Sequence, residues 1–161
     1  RSQIERLRYE ANDFKFNHGY PIPTHVLAQK MADICQVYTQ EASNRALCCT
    51  MLIAGVDDEK GAQTFKVDPS GHILPYKAVA TGKSEAEAMN YLEKRNDQLS
   101  AGMSEDATVE LAISTMMYVL ATDFKGSEIE VGVVAADKKF RMLSQDDIED
   151  RLNAISERSD S

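Results

Sequence analysis

The sequence predicts an α+β fold, in which helices and antiparallel strands occupy separate stretches of the chain. Apolar residues at helical spacing indicate two helices at the start, and three strand-like runs separated by turn signals follow them. Two further helices, a β-hairpin and a final helix complete the order. Segregated runs of helices and of antiparallel strands are typical of the α+β class, whereas regular alternation would indicate a parallel sheet.

The first helix is predicted from apolar residues at helical spacing, which are Ile4, Leu7, Ala11 and Phe14. Gly19 is expected to end it, because glycine readily takes the left-handed conformation that follows many helices. Pro21 and Pro23 then set a fixed bend. One face of the second helix is marked by Leu27, Met31, Ile34 and Tyr38.

The first predicted strand, Leu47–Ala54, is apolar at nearly every position, and the apolar run extends to Val56. We expect this run to be covered on both faces, since a strand with one wet face normally alternates apolar and polar residues. An acidic turn leads to a second strand, Thr64–Val67. The turn signal at residues 68–71 separates that strand from a third, Ile73–Ala80.

The second half of the chain contains three predicted helices and a hairpin. Ser84 is expected to cap a helix that carries Ala88, Tyr91 and Leu92. Ser104 is expected to cap a longer helix, whose buried stripe is Val109, Ile113, Met116 and Leu120.

The apolar strand Ile129–Ala136, also expected to be buried on both faces, pairs with Lys139–Leu143. Ser144 and Asp147 resemble a capping box for the last helix, which carries Ile148, Leu152 and Ile155.

A strand covered on both faces needs a helical layer on one side and a second apolar layer on the other. A second sheet would provide that layer and give four layers, helix–sheet–sheet–helix. About five strands are few for two sheets, so we expect part of the domain to be missing. Residues 1–157 are treated as a single domain, and residues 158–161 as a solvated tail.

Composition excludes several classes of partner. The chain has 18 Lys and Arg residues against 26 Asp and Glu residues, for a net charge of −8, and no dense basic stretch, so nucleic acid is not an expected partner. Leu47–Val56 is too short to cross a bilayer, and Arg1–Asn12 lacks the apolar centre of a signal peptide. An odd number of cysteines, 3, fits a reducing compartment. These features predict a soluble intracellular domain without a membrane partner.

Neither the cysteines nor the histidines form a recognisable catalytic or metal site. Cys48 and Cys49 are neighbours in a predicted strand and therefore point to opposite faces. The favoured interpretation is that both pack as small apolar residues. His18, His25 and His72 lack the close ligand spacing of a zinc site, so surface or helix-end positions are expected.

The glycines also indicate turns and not a phosphate-binding loop, since they lie at predicted strand ends, at Gly55, Gly61, Gly71 and Gly82. We therefore predict no cofactor, no metal ion and no catalytic residue.

Several segments, in the right order, resemble α subunits of the proteasome core particle. Those that carry the resemblance are Tyr9-Glu10-Ala11, Gly19 to Pro23, Gln36 to Gln40, Asp68 to Gly71, Lys77-Ala78, Ala80 to Gly82, Glu128 to Val134 and Phe140-Arg141. The late hairpin is similar to that of the eukaryotic type 6 α class in particular. No single segment is specific, but together they cover nearly the whole chain.

The resemblance implies a four-layer α-β-β-α sandwich, like that of the N-terminal-nucleophile hydrolases. It also implies a non-catalytic structural subunit of the proteasome outer ring, which scaffolds assembly and controls substrate entry for protein degradation. The implied partners are the other α subunits of the ring, the β subunits below it, and regulatory particles that bind the assembled ring. The implied location is the cytoplasm and nucleus. Family members carry strands upstream of the helix that opens here, so the resemblance implies that the domain is incomplete at its N-terminus.

Two alternatives remain. The first is an active threonine peptidase of the same fold, whose nucleophile is an N-terminal threonine that uses its own amine as base. Arg1 opens a helix here, and Thr50, Thr64 and Thr81 lie inside the chain, so this alternative requires a catalytic segment upstream. The second is an interaction module unrelated to proteasomes.

Arg6, Arg8 and Tyr9 on the first helix are the candidate interface residues. The resemblance implies that this helix lies where the α and β rings meet, and guanidinium groups beside an aromatic ring suit an interface. An ordinary amphipathic helix packed over its own sheet is the competing interpretation.

Overall fold

A computed structural model of the chain describes residues 1–159, with side chains through residue 157. The helices in this range are α1 (Ser2–His18), α2 (Thr24–Gln40), α3 (Glu85–Glu93), α4 (Asn96–Ala101), α5 (Glu105–Leu120) and α6 (Gln145–Ser159). The strands are β1 (Met51–Asp57), β2 (Gly61–Val67), β3 (Ile73–Tyr76), β4 (Gly132–Val134) and β5 (Phe140–Met142).

The predicted order of helices and strands is confirmed, apart from the short helix α4, which was not predicted. The chain forms two compact units, Arg1–Tyr76 and Lys77–Ser161, which are described separately below. The expectation of a single domain over residues 1–157 stays a prediction. None of the helices in the described range combines the length and the apolar character that a bilayer crossing requires.

In the first unit, α1 ends where the sequence predicts. Gly19 has a φ of 80°, and its N–H donates a 2.9 Å hydrogen bond to the carbonyl of Lys15. Only part of the predicted apolar stripe is covered: Leu7 packs against the core of the unit, whereas Ile4 is half exposed. The stripe therefore begins one turn later than predicted.

The core of the first unit lies between α2 and the antiparallel sheet β1-β2-β3. It consists of Ala28, Met31, Ala32, Cys35, Ile53, Phe65 and Val67. Met31 faces the core, as predicted, whereas Tyr38, which was predicted on the same face, is exposed. Ala28 and Ala32 are fully buried beside Met31. These small side chains let α2 approach the sheet closely, and a Cβ added at Gly55 would lie 2.4 Å from the hydroxyl oxygen of Thr24.

The first strand lies further along the chain than predicted. β1 begins at Met51, which pairs with Val67, the last residue of β2. Because β2 ends there, residues 47–50 have no strand opposite them in this sheet, and the predicted strand Leu47–Ala54 is corrected to Met51–Asp57. β3 also stops early, at Tyr76 instead of Ala80.

Burial along β1 alternates, so the expectation that Leu47–Val56 is covered on both faces is wrong for this chain. Ile53 faces α2 and is buried, whereas Leu52 is 42% exposed and Ala54 is exposed. The physical reason is that α2 covers one face of the sheet. Leu52, Lys66 and Leu74 form a row across the other face.

In the second unit, α3 and α6 pack on α5. The core consists of Val109, Ile113, Ile129 and Ile148. Ser104 caps α5 as predicted, since its hydroxyl accepts a 3.3 Å hydrogen bond from the N–H of Ala107. Ser84 stands at the N-cap of α3 but makes no such bond. Met116 and Leu120, predicted to be buried, are about half exposed.

The late hairpin is shorter than predicted. Ile129 is buried, but Glu130 and Gly132 are exposed, so the expected burial of Ile129–Ala136 on both faces is also wrong. Two arginines that follow β4 in the chain pair with acidic side chains in the first turn of α5. Arg141 of β5 pairs with Glu105, and Arg151 of α6 pairs with Asp106.

The predicted capping box at the start of α6 is confirmed. The Ser144 hydroxyl accepts a 3.2 Å hydrogen bond from the N–H of Asp147, and Oδ2 of Asp147 accepts one of 3.2 Å from the N–H of Ser144. The same carboxylate accepts a hydrogen bond from the Ser144 hydroxyl, and these bonds hold the pKa of Asp147 below its usual value. The backbone of α6 includes Arg158 and Ser159. The rest of the predicted tail, Asp160 and Ser161, lies outside the described residues.

Candidate subunit interface

Glu10 fixes the helix that carries the candidate interface residues. Its side chain is 14% exposed and lies between α1 and α2. Oε1 is 2.9 Å from Nη2 of Arg6, one turn earlier on α1, and Oε2 accepts a 3.2 Å hydrogen bond from Nζ of Lys30 on α2. One carboxylate therefore joins the two helices and orients Arg6. The sequence alone did not single out Glu10, since its partner Lys30 is 20 residues away.

Arg6 and Tyr9 are brought together on the outer side of α1. The guanidinium carbon of Arg6 lies 5.6 Å from the centre of the Tyr9 ring, which is within the range of a cation–π contact. Tyr9 is 61% exposed. Because Glu10 holds the guanidinium on the inner side, the ring and the cation form a pre-oriented pair on the surface.

Arg8 is exposed but does not join this pair. Successive residues of a helix are about 100° apart, so residues three apart share a side and residues two apart do not. Arg6 and Tyr9 therefore lie together, and Arg8 points to a different side of α1. The structure thus brings two of the three candidate residues together, and the assignment of all three to a subunit interface stays a prediction.

Phe16 is a surface residue that the sequence reasoning missed. It is 89% exposed, and it lies seven residues after Tyr9, so that both project from the same side of α1. The signal was present as this spacing, but the prediction used only the buried stripe. A separate cluster of rings lies at the end of the helix. The rings of Phe14 and His18 are stacked, with their centres 4.1 Å apart, and the Tyr20 ring packs edge-on against Phe14, with centres 5.3 Å apart.

The possible catalytic and metal-binding side chains remain dispersed. Among the described residues, no group of three or more His, Cys, Asp or Glu side chains is placed to bind a metal ion. Cys48 and Cys49 are exposed ahead of β1, so the expectation that they pack as small apolar residues is wrong for this chain, whereas Cys35 is buried and burial raises its pKa.

The histidines lie where they were expected. His18 is exposed in the last turn of α1, and its Nδ1 is 3.0 Å from the carbonyl oxygen of Phe14. His25 lies in the first turn of α2, and His72 is exposed.

Comparison with known proteins identifies the family. A family model described as proteasome subunit matches residues 1–134. The chain belongs to the proteasome subunit family. This membership confirms the predicted fold class, the mixed α+β sandwich of that family, and the resemblance seen in the sequence.

Three similar proteins are α-type subunits. The chain is 44% identical over 160 residues to the probable proteasome subunit alpha type-1 of Schizosaccharomyces pombe, and 40% identical over 157 residues to the proteasome subunit alpha type-6 of Caenorhabditis elegans. It is 33% identical over 156 residues to a proteasome subunit alpha of the archaeon Methanothermobacter thermautotrophicus.

These alignments include 98%, 97% and 96% of this chain. They include 65%, 63% and 61% of the three relatives, respectively. The chain thus spans somewhat less than two thirds of the length of the relatives it matches. The similarity to an α type-6 subunit agrees with the class suggested by the late hairpin.

Proposed function

We propose that this protein is a non-catalytic α-type subunit of the proteasome core, which scaffolds the outer ring and helps control the entry of substrates for degradation. The observation that carries the proposal is the 44% and 40% identity to α-type subunits along almost the whole chain. Its proposed partners are the other α subunits of the ring, the β subunits below it, and regulatory particles on the assembled ring. Its proposed location is the cytoplasm and nucleus.

The surface of α1 supports an assembly role. Tyr9 and Phe16 expose aromatic surface on one side of a helix whose opposite side is fixed by Glu10 and Leu7. Large aromatic side chains and arginine are the residue types that most often dominate the binding energy of protein interfaces. Arg6 and Tyr9 are therefore proposed to contact a β subunit, and Arg8 to lie at the edge of that contact.

Co-purification tests the assembly role. Full-length protein carrying an affinity tag is purified from cells, and its partners are identified by mass spectrometry. Both α and β subunits are expected in a ring-sized complex. Recovery of the protein alone, or with partners that are not proteasome subunits, would contradict the proposal.

An active-site probe tests the non-catalytic role. A covalent inhibitor that reacts with N-terminal threonines is added to the purified complex, and labelled chains are identified by mass. We expect label on β subunits and none on this protein. Label on a threonine of this protein would support the competing function, an active threonine peptidase of the same fold.

The contribution of α1 is tested by Tyr9→Ala combined with Phe16→Ala, which is expected to reduce incorporation into the complex. Tyr118→Ala is a matched control, because Tyr118 is also 61% exposed but lies on α5. Equal incorporation of the double variant and the control would show that α1 does not form the interface.

A further inference from the structure

Three buried polar atoms without a hydrogen-bond partner come from one small region of the first unit. Within residues 1–157, the buried side-chain atoms that lack a partner are Nδ1 of His25, Oδ2 of Asp57 and Oε1 of Gln63. Buried polar groups are normally paired, because a buried donor or acceptor without a partner destabilises the fold. That all three come from α2, β1 and β2 indicates a shared cause.

The register of the sheet places these side chains on the same face. Gln63 is the direct partner of Gly55 in the β1-β2 ladder, and Asp57 follows Gly55 by two residues. Alternate residues of a strand, and directly paired residues of neighbouring strands, project to the same side. Gly55 therefore marks the face on which Asp57 and Gln63 lie.

That face meets the beginning of α2. A Cβ at Gly55 would lie 2.4 Å from Oγ1 of Thr24, so the first residue of α2 packs directly against Gly55. His25 is the next residue of the same helical turn. Its Nδ1 is buried, and it belongs to the turn of α2 that meets the β1-β2 hairpin. We call this meeting point the corner.

The Asp57 carboxylate is held in place by its other oxygen. Oδ1 accepts a 2.7 Å hydrogen bond from the backbone N–H of Lys60 in the hairpin turn. Oδ2 is consequently left as an acceptor on a carboxylate whose orientation is already set.

The numbers of donors and acceptors define what fits this corner. Oδ2 of Asp57 and Oε1 of Gln63 are acceptors, and Nδ1 of a neutral imidazole can carry a proton and donate. A water molecule has two hydrogens to donate and can accept in return, and buried waters typically make about three hydrogen bonds to otherwise unpaired groups. We propose that His25, Asp57 and Gln63 together bind one buried water molecule, which accepts a hydrogen bond from Nδ1–H of His25 and donates one each to Asp57 and Gln63.

This water connects α2 to the β1-β2-β3 sheet by hydrogen bonds. It connects the first turn of α2 to the two strands on which that helix packs, at the point where the α1–α2 connection ends. It also fixes the tautomer of His25, since the proton must reside on Nδ1.

A structure of the full-length protein, alone or in the complex with which it purifies, tests the proposal at a resolution that shows ordered water. We expect a solvent peak within about 2.6–3.2 Å of all three atoms. Absence of such a peak, or a rotated Gln63 amide bonded directly to Asp57, would overturn the proposal. An anomalous signal at the site in crystals soaked with rubidium or zinc would show a bound cation instead, and would overturn it as well.

A double-mutant cycle provides an independent readout. His25→Phe and Gln63→Met each remove one partner of the water in the full-length protein, and each is expected to lower the melting temperature. If one water serves both side chains, the double variant should lose clearly less than the two single losses combined. Additive losses would contradict a shared water.

The matched controls are His72→Phe and Gln40→Met, which make the same chemical changes at exposed positions. We expect neither to shift the melting temperature measurably. Where a variant at the corner does not fold, the solvent peak in the unmodified protein decides the question.

Discussion

Replacement of Glu10 by alanine tests whether the packing of α1 on α2 depends on a single, largely buried carboxylate. Glu10 binds Arg6 at 2.9 Å and Lys30 at 3.2 Å, and its side chain is largely shielded from solvent. The Glu10→Ala variant loses both contacts at once and leaves the Lys30 ammonium at the helix–helix junction without its carboxylate.

The expected loss in the free energy of unfolding follows from the solvent exposure of Arg6 and Lys30, the two partners of Glu10. The pair with Arg6 lies within one helix and is half exposed on the arginine side, so it contributes only about 0.3–0.5 kcal/mol. The Lys30 bond joins two helices and is better shielded, so about 1 kcal/mol is expected for it. A total near 1.5 kcal/mol corresponds to a melting temperature lower by about 3–6 °C in a protein of 150–250 residues.

Glu5→Ala is the matched control on the same helix. Glu5 pairs with Arg1 at 3.6 Å, and both side chains are largely exposed, so a shift of about 1 °C is expected. Thermal unfolding of the full-length variants, followed by circular dichroism, measures both. If Glu10→Ala and Glu5→Ala shift the melting temperature equally, the carboxylate of Glu10 does not hold α1 on α2.

Three further substitutions test the packing and the capping, each measured by unfolding of the full-length protein. Gly71→Ala should lower the free energy of unfolding more than Gly61→Ala does. Both glycines have positive φ, but only at Gly71 would a Cβ meet backbone, at 2.8 Å from the carbonyl oxygen of Ala32. Equal losses would contradict the close packing of this turn on α2. Met31→Ala should cost about 2–5 kcal/mol, since Met31 is completely buried, and a loss below 1 kcal/mol would contradict its central position. The Ser144 bonds lower the pKa of Asp147, so their stabilisation is present above the ordinary aspartate pKa of about 3.9 and is lost as pH falls through the lower folded value. Asp147→Asn should therefore weaken the acid dependence of unfolding below about pH 4, and an unchanged acid profile would contradict the capping role.

Local signals in the sequence predicted helix ends and turns well. Gly19 ends α1 with a positive φ, and Ser144 and Asp147 cap α6, because each of these signals acts through residues within one turn. The turn at Asp68 to Gly71 is likewise closed by a 2.9 Å bond from the N–H of Gly71 to the carbonyl of Asp68. Such features need no knowledge of distant parts of the chain.

The geometry of the candidate interface residues could be predicted only in part, because it depends on contacts between helices. The composition of α1 indicated Arg6 and Tyr9 but also Arg8, which points elsewhere on the helix. The orientation of Arg6 depends on Glu10, and the position of Glu10 depends on Lys30 in the next helix. Pairings across twenty residues leave no periodic signal in a single sequence.

Strand burial was predicted incorrectly for a different physical reason. An apolar run such as Leu47–Val56 indicates that exposing either face to water is unfavourable, by about 25 cal/mol for each Å² of apolar surface. It does not identify which residues, of this chain or of another, cover each face. In this chain α2 covers the side of Ile53, and the row formed by Leu52, Lys66 and Leu74 crosses the other side of the sheet, with both leucines about 40% exposed. The apolar strands thus predicted the correct fold class, because that class requires them. They did not predict the burial of each face, because burial depends also on the element that packs against the strand.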